Sequence, residues 1–271
     1  MEVSRGAIDY LLRNAWGSTA EERAGARLLV RSVTLAAVWV ILVQMLGVVR
    51  RPWISPAEAL VLLLPAALGL ALPIACLLGV LVASQGRPPG ELGLRSLTRI
   101  ATLVGLATFV TLNWVTPETN QSFRQALRLS ESTGEPLVRG DREMSVSELA
   151  ARAATLHAAE RPVTAAGFEF ELHKKPALGV WCLALAIAGG AIVRWMRTPA
   201  LRWIAALGAW WIWLALLRLG EQAVDAGRVP AAFGMWAPVL TTAALAAAAF
   251  WGGRERSASP ADLAAVRPRV D

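Results

Sequence analysis

Six unbroken apolar stretches, at about 28–49, 57–84, 97–115, 177–196, 201–218 and 231–251, constrain this chain more than any other feature. Each comes close to the roughly 20 helical residues that cross the hydrocarbon of a bilayer. No water satisfies the backbone there, so such a run folds as a helix that closes its own hydrogen bonds. The chain has 271 residues, of which 55% are hydrophobic and 17% charged. A soluble domain of that length would need an unusually large core to hide so much apolar surface, whereas six crossings account for it directly. The expected fold class is an all-α polytopic membrane protein: six transmembrane helices with a small helical extracytoplasmic segment between helices 3 and 4.

The charged residues sit between the runs and set an orientation. Net charge is +7, carried almost wholly by arginine, since Lys174 and Lys175 are the only lysines. Arg5, Arg13, Arg23, Arg27, Arg87, Arg95, Arg99, Arg194, Arg197, Arg202, Arg254, Arg256, Arg267 and Arg269 fall on one side of a six-crossing arrangement. The short loops opposite hold Arg50, Arg51, Arg218 and Arg228, the last two offset by Glu221 and Asp225. Short cytoplasmic loops are enriched in Lys and Arg, so both termini are expected in the cytoplasm. Trp53 and Trp114 then fall at outer interfaces and Trp203 and Trp251 at inner ones, where indole rings concentrate. The expected organisation is a cytoplasmic amphipathic segment (1–27), helices 1–3 (28–115), an extracytoplasmic helical insertion (116–176), helices 4–6 (177–251) and a cytoplasmic tail (252–271). No cleavable leader is expected, because the first apolar run follows a polar stretch without a small-residue cleavage pattern.

Local signals refine this. Pro65 and Pro73 lie inside the second run, where a kink is expected. In "LNWVTPETNQSFRQAL" the apolar text stops at Trp114, and Pro117 biases Thr116 away from helix, so the third helix is expected to end there. In "MSVSELAARAATLHAAERP" Ser145 and Glu148 have capping-box spacing, and the helix they open is expected to close before Pro162. Cys76 and Cys182 each lie inside an apolar run and read as small packing residues rather than a disulfide.

The chain offers little chemistry. It contains no G-x-x-x-x-G-K-[ST] phosphate loop, so it is not expected to hydrolyse ATP itself. His157 and His173 are the only histidines, and neither has a metal-ligand partner at helical spacing. No nucleophile motif is present, and no catalytic residue, metal or cofactor is expected. Arginines that punctuate apolar runs point to headgroups, not to nucleic acid. Arg31, Gln44 and Asn113 are the polar residues inside the runs. Arg31 is close enough to an end to snorkel, and Gln44 suits an interhelical hydrogen bond. Arg50 and Arg51 flank the first run, either as topology residues or as ligands for a lipid phosphate. Arg218 and Glu221, three apart, suit a pair at a helix end.

Four segments, "AIDYLLRNAW", "LNWVTPETNQSFRQAL", "MSVSELAARAATL…FEFELHKKPALGVWCLALAIAGGAI" and "LRLGEQAVDAGRVPAAFGMWAPVL", resemble in order and spacing the LptF/LptG family of lipopolysaccharide-export ABC permeases. The resemblance implies a permease subunit in the bacterial inner membrane that pairs with a second permease, identical or different, and with a cytoplasmic ABC ATPase dimer. A lipid or lipopolysaccharide substrate would be extracted through lateral gates made by first and fifth helices. It assigns ATPase coupling to "GELGLRSLTR", with Glu91 and Arg95 as contacts, and makes Arg50, Arg51 and Arg31 candidates for the lipid's phosphates. The family carries a β-jellyroll between helices three and four. Here about sixty residues without strand-like alternation occupy that place, which implies that the jellyroll is missing. Arg95 is followed by Ser96-Leu97-Thr98, not by the family's Arg-x-x-Gly. A degenerate, non-transporting paralogue that scaffolds or regulates a membrane complex is the alternative.

Overall fold

The computed structural model describes residues 27, 30–35, 37–39, 56–85, 94–122, 141–196 and 198–256. All described elements are helical, as the apolar runs require. A short apolar helix, α1 (Val30–Trp39), precedes α2 (Pro56–Ala83). Next comes α3 (Leu94–Val110), which passes through a π turn (Thr111–Val115) and stays helical to Ser122. After a 3-10 turn (Asp141–Glu143) follow α4 (Val146–Ala158), α5 (Pro162–Trp195), α6 (Pro199–Asp225) and α7 (Ala231–Arg256). Four helical stretches are long and apolar enough to cross a membrane: Leu97–Ser122, Pro162–Trp195, Pro199–Asp225 and Ala231–Gly252. Together with the shorter apolar helices Val30–Trp39 and Ala71–Ala83, they make this a multi-pass membrane protein. Four spans of the expected six meet both criteria among the described residues.

Helix α5 is the axis against which α2, α3, α4, α6 and α7 all pack. Two buried clusters flank it. One gathers Leu77, Trp181, Leu185, Trp213, Met235 and Val239 from α2, α5, α6 and α7; the other gathers Val33, Val80, Leu97, Ile100 and Phe250 with both cysteines. Cys76 and Cys182 are free and buried, as their apolar surroundings suggest, and Cys182 Sγ lies 3.4 Å from Thr108 Oγ1. Small residues let backbones touch, which drives helix association where lipid is as apolar as the side chains. A Cβ on Gly179 would sit 2.8 Å from the Gly105 carbonyl, so α3 and α5 meet backbone to backbone.

At 34 residues, α5 is about 51 Å long, against a hydrocarbon thickness of roughly 30 Å. Its apolar part runs from Ala177 to Val193, so the first fifteen residues form a stem of about 22 Å beyond the hydrocarbon. Helix α4 packs along this stem through Leu149, Ala153 and Leu156, which share one face at helical spacing. Its start is as expected: Ser145 accepts from the Glu148 amide, and the Glu148 carboxylate accepts from the Ser145 amide at 2.7 Å. Its end adopts a left-handed residue, Glu160 (φ 56°), with Arg161 N–H on the Leu156 carbonyl (2.9 Å).

Two expectations about helix ends are corrected. The third helix does not stop at Trp114–Pro117. Thr116 is helical (φ −59°, ψ −41°) and its amide donates to the Thr111 carbonyl, five residues back. The wider π turn is the local adjustment by which a helix accommodates a proline, here Pro117. The fourth helix does not begin at 177. It starts at Pro162, in the first turn where proline is favoured, and runs through Pro176. Helix α2 likewise continues through Pro65 and Pro73.

Candidate functional site: a charged-rimmed cleft at the end of the apolar zone

The α3 π turn places Asn113 inward, 7% exposed. Its Oδ1 accepts from the Val146 amide at 2.7 Å, satisfying one of the first α4 amides that no helix can pair internally. Lys175, on the last turn of the α5 stem, is also buried (3% exposed), and its ammonium donates to the Met144 carbonyl. Glu143 is buried beside them in sequence. These contacts fasten the start of α4 and the turn before it onto the top of the membrane bundle.

Beside this fastening lies a cleft of about 240 Å³ between α3, α5 and α6. Leu112 and Thr116 come from α3 with Asn120, Leu178 from α5, and Leu214 and Leu217 from α6. The leucines give it an apolar floor. Its rim is ionic: Glu171, Lys174 and Lys175 from α5, Arg218 and Glu221 from α6. Lys174 Nζ meets Glu171 Oε2 at 2.9 Å with both side chains almost buried (14% and 13% exposed). Arg218 meets Glu221 at 3.0 Å, so the pair read from their spacing is formed, with Arg218 largely in solvent. Thr116 is 5% exposed, and its hydroxyl has no hydrogen-bond partner among the described residues. The cleft therefore sits where the apolar part of α5 gives way to its stem. It combines an apolar floor with fixed charges of both signs, the complement of an amphiphile lying at a membrane surface.

Arg95 lies on the first turn of α3, exposed, about 25 Å along the helix from Leu112. Arg31 is exposed on α1. Neither lies among the residues that line the cleft. Glu91, Arg50, Arg51 and Gln44 fall outside the described residues. Among the described residues, no three His, Cys, Asp or Glu side chains form a group that would hold a metal.

Reading the sequence for chemistry missed Lys174, Lys175 and Glu171 as a site. A signal was present: the only two lysines of the chain stand side by side, directly before the apolar run of α5. Arg218 and Glu221 were legible as a pair, though not as one wall of a cleft. Residues 127–252 match the family described as Lipopolysaccharide export system permease LptF/LptG. The matched segment holds all the α5 and α6 residues of the cleft and ends inside α7. No curated protein matches the chain.

Proposed function

Taking as premise that this chain belongs to the LptF/LptG family of lipopolysaccharide export permeases by its match over 127–252, we propose that it is the transmembrane subunit of an ABC-type exporter. In this reading it draws a lipopolysaccharide-like amphiphile out of the bacterial inner membrane with a separate cytoplasmic ATPase dimer and a second permease subunit. The family is one of transporter subunits, so no covalent change to the substrate is invoked.

The cleft is the observation that carries the proposal. A headgroup held at the Lys174–Arg218 rim would leave its acyl chains against Leu178, Leu214 and Leu217. Helix α6 suits a movable wall: 11% of its most apolar stretch is buried, against 61% for α5. Arg95, on the first turn of α3, would receive the ATPase together with Glu91, four residues before it in sequence. Since α3 is one continuous helix from Leu94 to Ser122, a push at its first turn reaches Leu112, Thr116 and Asn120. Arg50, Arg51 and Arg31 would serve as further phosphate contacts along the route. Six crossings with both termini in the cytoplasm complete the arrangement.

Purifying the tagged chain from its native membrane tests this. The proposal expects an ABC ATPase to co-purify, its hydrolysis to rise with added amphiphile, and Arg95→Glu to cut retention at least several-fold, as expected for a lost docking contact. An ATPase that is absent, or unaffected by both amphiphile and Arg95→Glu, would contradict it and favour the scaffold alternative.

A further inference from the structure

The cleft carries charges of both signs, and this bears on which headgroup it takes. Three cations (Lys174, Lys175, Arg218) and two carboxylates (Glu171, Glu221) line one cavity. A site built for a bare phosphate would concentrate cations, because each carboxylate repels the ligand. Here Glu171 lies on Lys174 and Glu221 on Arg218, each pair one helical turn apart. The Lys174–Glu171 pair is nearly excluded from water, and such a pair is weak ground for stability because desolvation offsets the attraction. Its place at a cavity wall, within reach of a ligand, therefore points away from stability and toward binding. Thr116 adds a second and independent observation: a buried hydroxyl in the same lining, without a partner among the described residues. A buried hydroxyl ordinarily has a partner, and a ligand oxygen in the cleft would supply one.

Resting on the export reading above, we infer that the cleft selects a headgroup bearing a phosphate and a primary ammonium together, that is, a phosphoethanolamine group on an amphiphile. The phosphate takes the Lys174 and Arg218 donors and the Thr116 hydroxyl, while the ammonium takes the Glu171 and Glu221 carboxylates. Each internal ion pair opens toward a ligand charge of opposite sign, and the zwitterionic headgroup adds no net charge to the cleft when it enters and water leaves. A phosphate without an ammonium leaves both carboxylates facing a like charge. Glycerophospholipids and phosphorylated glycolipids both carry this headgroup chemistry.

The test measures binding of short-chain lipids to the purified full-length chain in detergent by native mass spectrometry. The probes are dioctanoyl phosphatidylethanolamine and dioctanoyl phosphatidylglycerol, with lipid A bearing or lacking phosphoethanolamine as the second arm. The ethanolamine form is expected to bind at least ten-fold more tightly in one arm or both, and the favoured arm identifies the source. Glu171→Gln with Glu221→Gln should abolish the preference while leaving the anionic lipid bound as well or better. Arg218→Gln with Thr116→Val should weaken every lipid that enters the cleft. Arg218 is mostly exposed, so Arg218→Gln made alone guards against a result that reflects misfolding. Equal binding of ethanolamine and anionic lipids, still weakened by Arg218→Gln, would overturn the headgroup inference and leave the cleft as an amphiphile site. Lipid binding untouched by all these variants would overturn the cleft as well.

Discussion

Single residues carry the joint between the membrane bundle and the segment above it. The Asn113 side chain, reaching in from another helix, adds to the Ser145 cap by accepting the Val146 amide. Asn113→Leu removes that acceptor and leaves the Val146 amide unpaired, at a cost of about 1–3 kcal/mol. The expected result is faster amide exchange and proteolysis within 141–161, with Asn113→Asp, which keeps the oxygen, close to wild type. The two helical hairpins make a matched pair. Both α4 and α6 end on a left-handed residue, Glu160 (φ 56°) and Gly227 (φ 66°), with the same closing hydrogen bonds. Only glycine adopts that conformation without strain from its own side chain. Glu160→Gly should therefore stabilise the fold and Gly227→Ala destabilise it, each by about 1 kcal/mol, read as a higher and a lower thermal unfolding midpoint. Equal midpoints for all three proteins would contradict this.

Among the elements, α5 organises the fold, and its contact with α3 leaves no room for a side chain. Gly105 and Gly179 bring the two backbones together, and any larger side chain at either meets a carbonyl that cannot move aside. Gly105→Leu should abolish monodisperse protein after extraction, whereas Gly208→Leu, with open space at that Cβ position, should not. Yields falling together would count against the close crossing. The existence of the apolar helices was legible because hydropathy reports transfer into lipid, and transfer is what decides them. Their ends were not. Hydropathy marks where the hydrocarbon stops, at Trp114 and Ala177, whereas the helices themselves continue through Pro117 and from Pro162. A π turn absorbs the first proline, and the α5 stem is paid for by packing against α4, which no single-segment pattern encodes. The capping box was legible because it is local.

For the whole molecule, the cleft was half legible. The Arg218–Glu221 pair follows from helical spacing, and the paired lysines stand out by rarity, but only tertiary packing brings residues 112–120, 171–178 and 214–221 around one cavity. The central claim is that an amphiphile occupies this cavity during export. Placing a photo-crosslinking amino acid at Leu214, in the cleft floor, and at Leu207, exposed on the same helix, tests it most directly. Irradiated native membranes should give a lipopolysaccharide-type adduct at Leu214 that rises when the proposed partner ATPase is active, with little at Leu207. Adducts of equal yield at both positions, indifferent to the ATPase, would contradict the account.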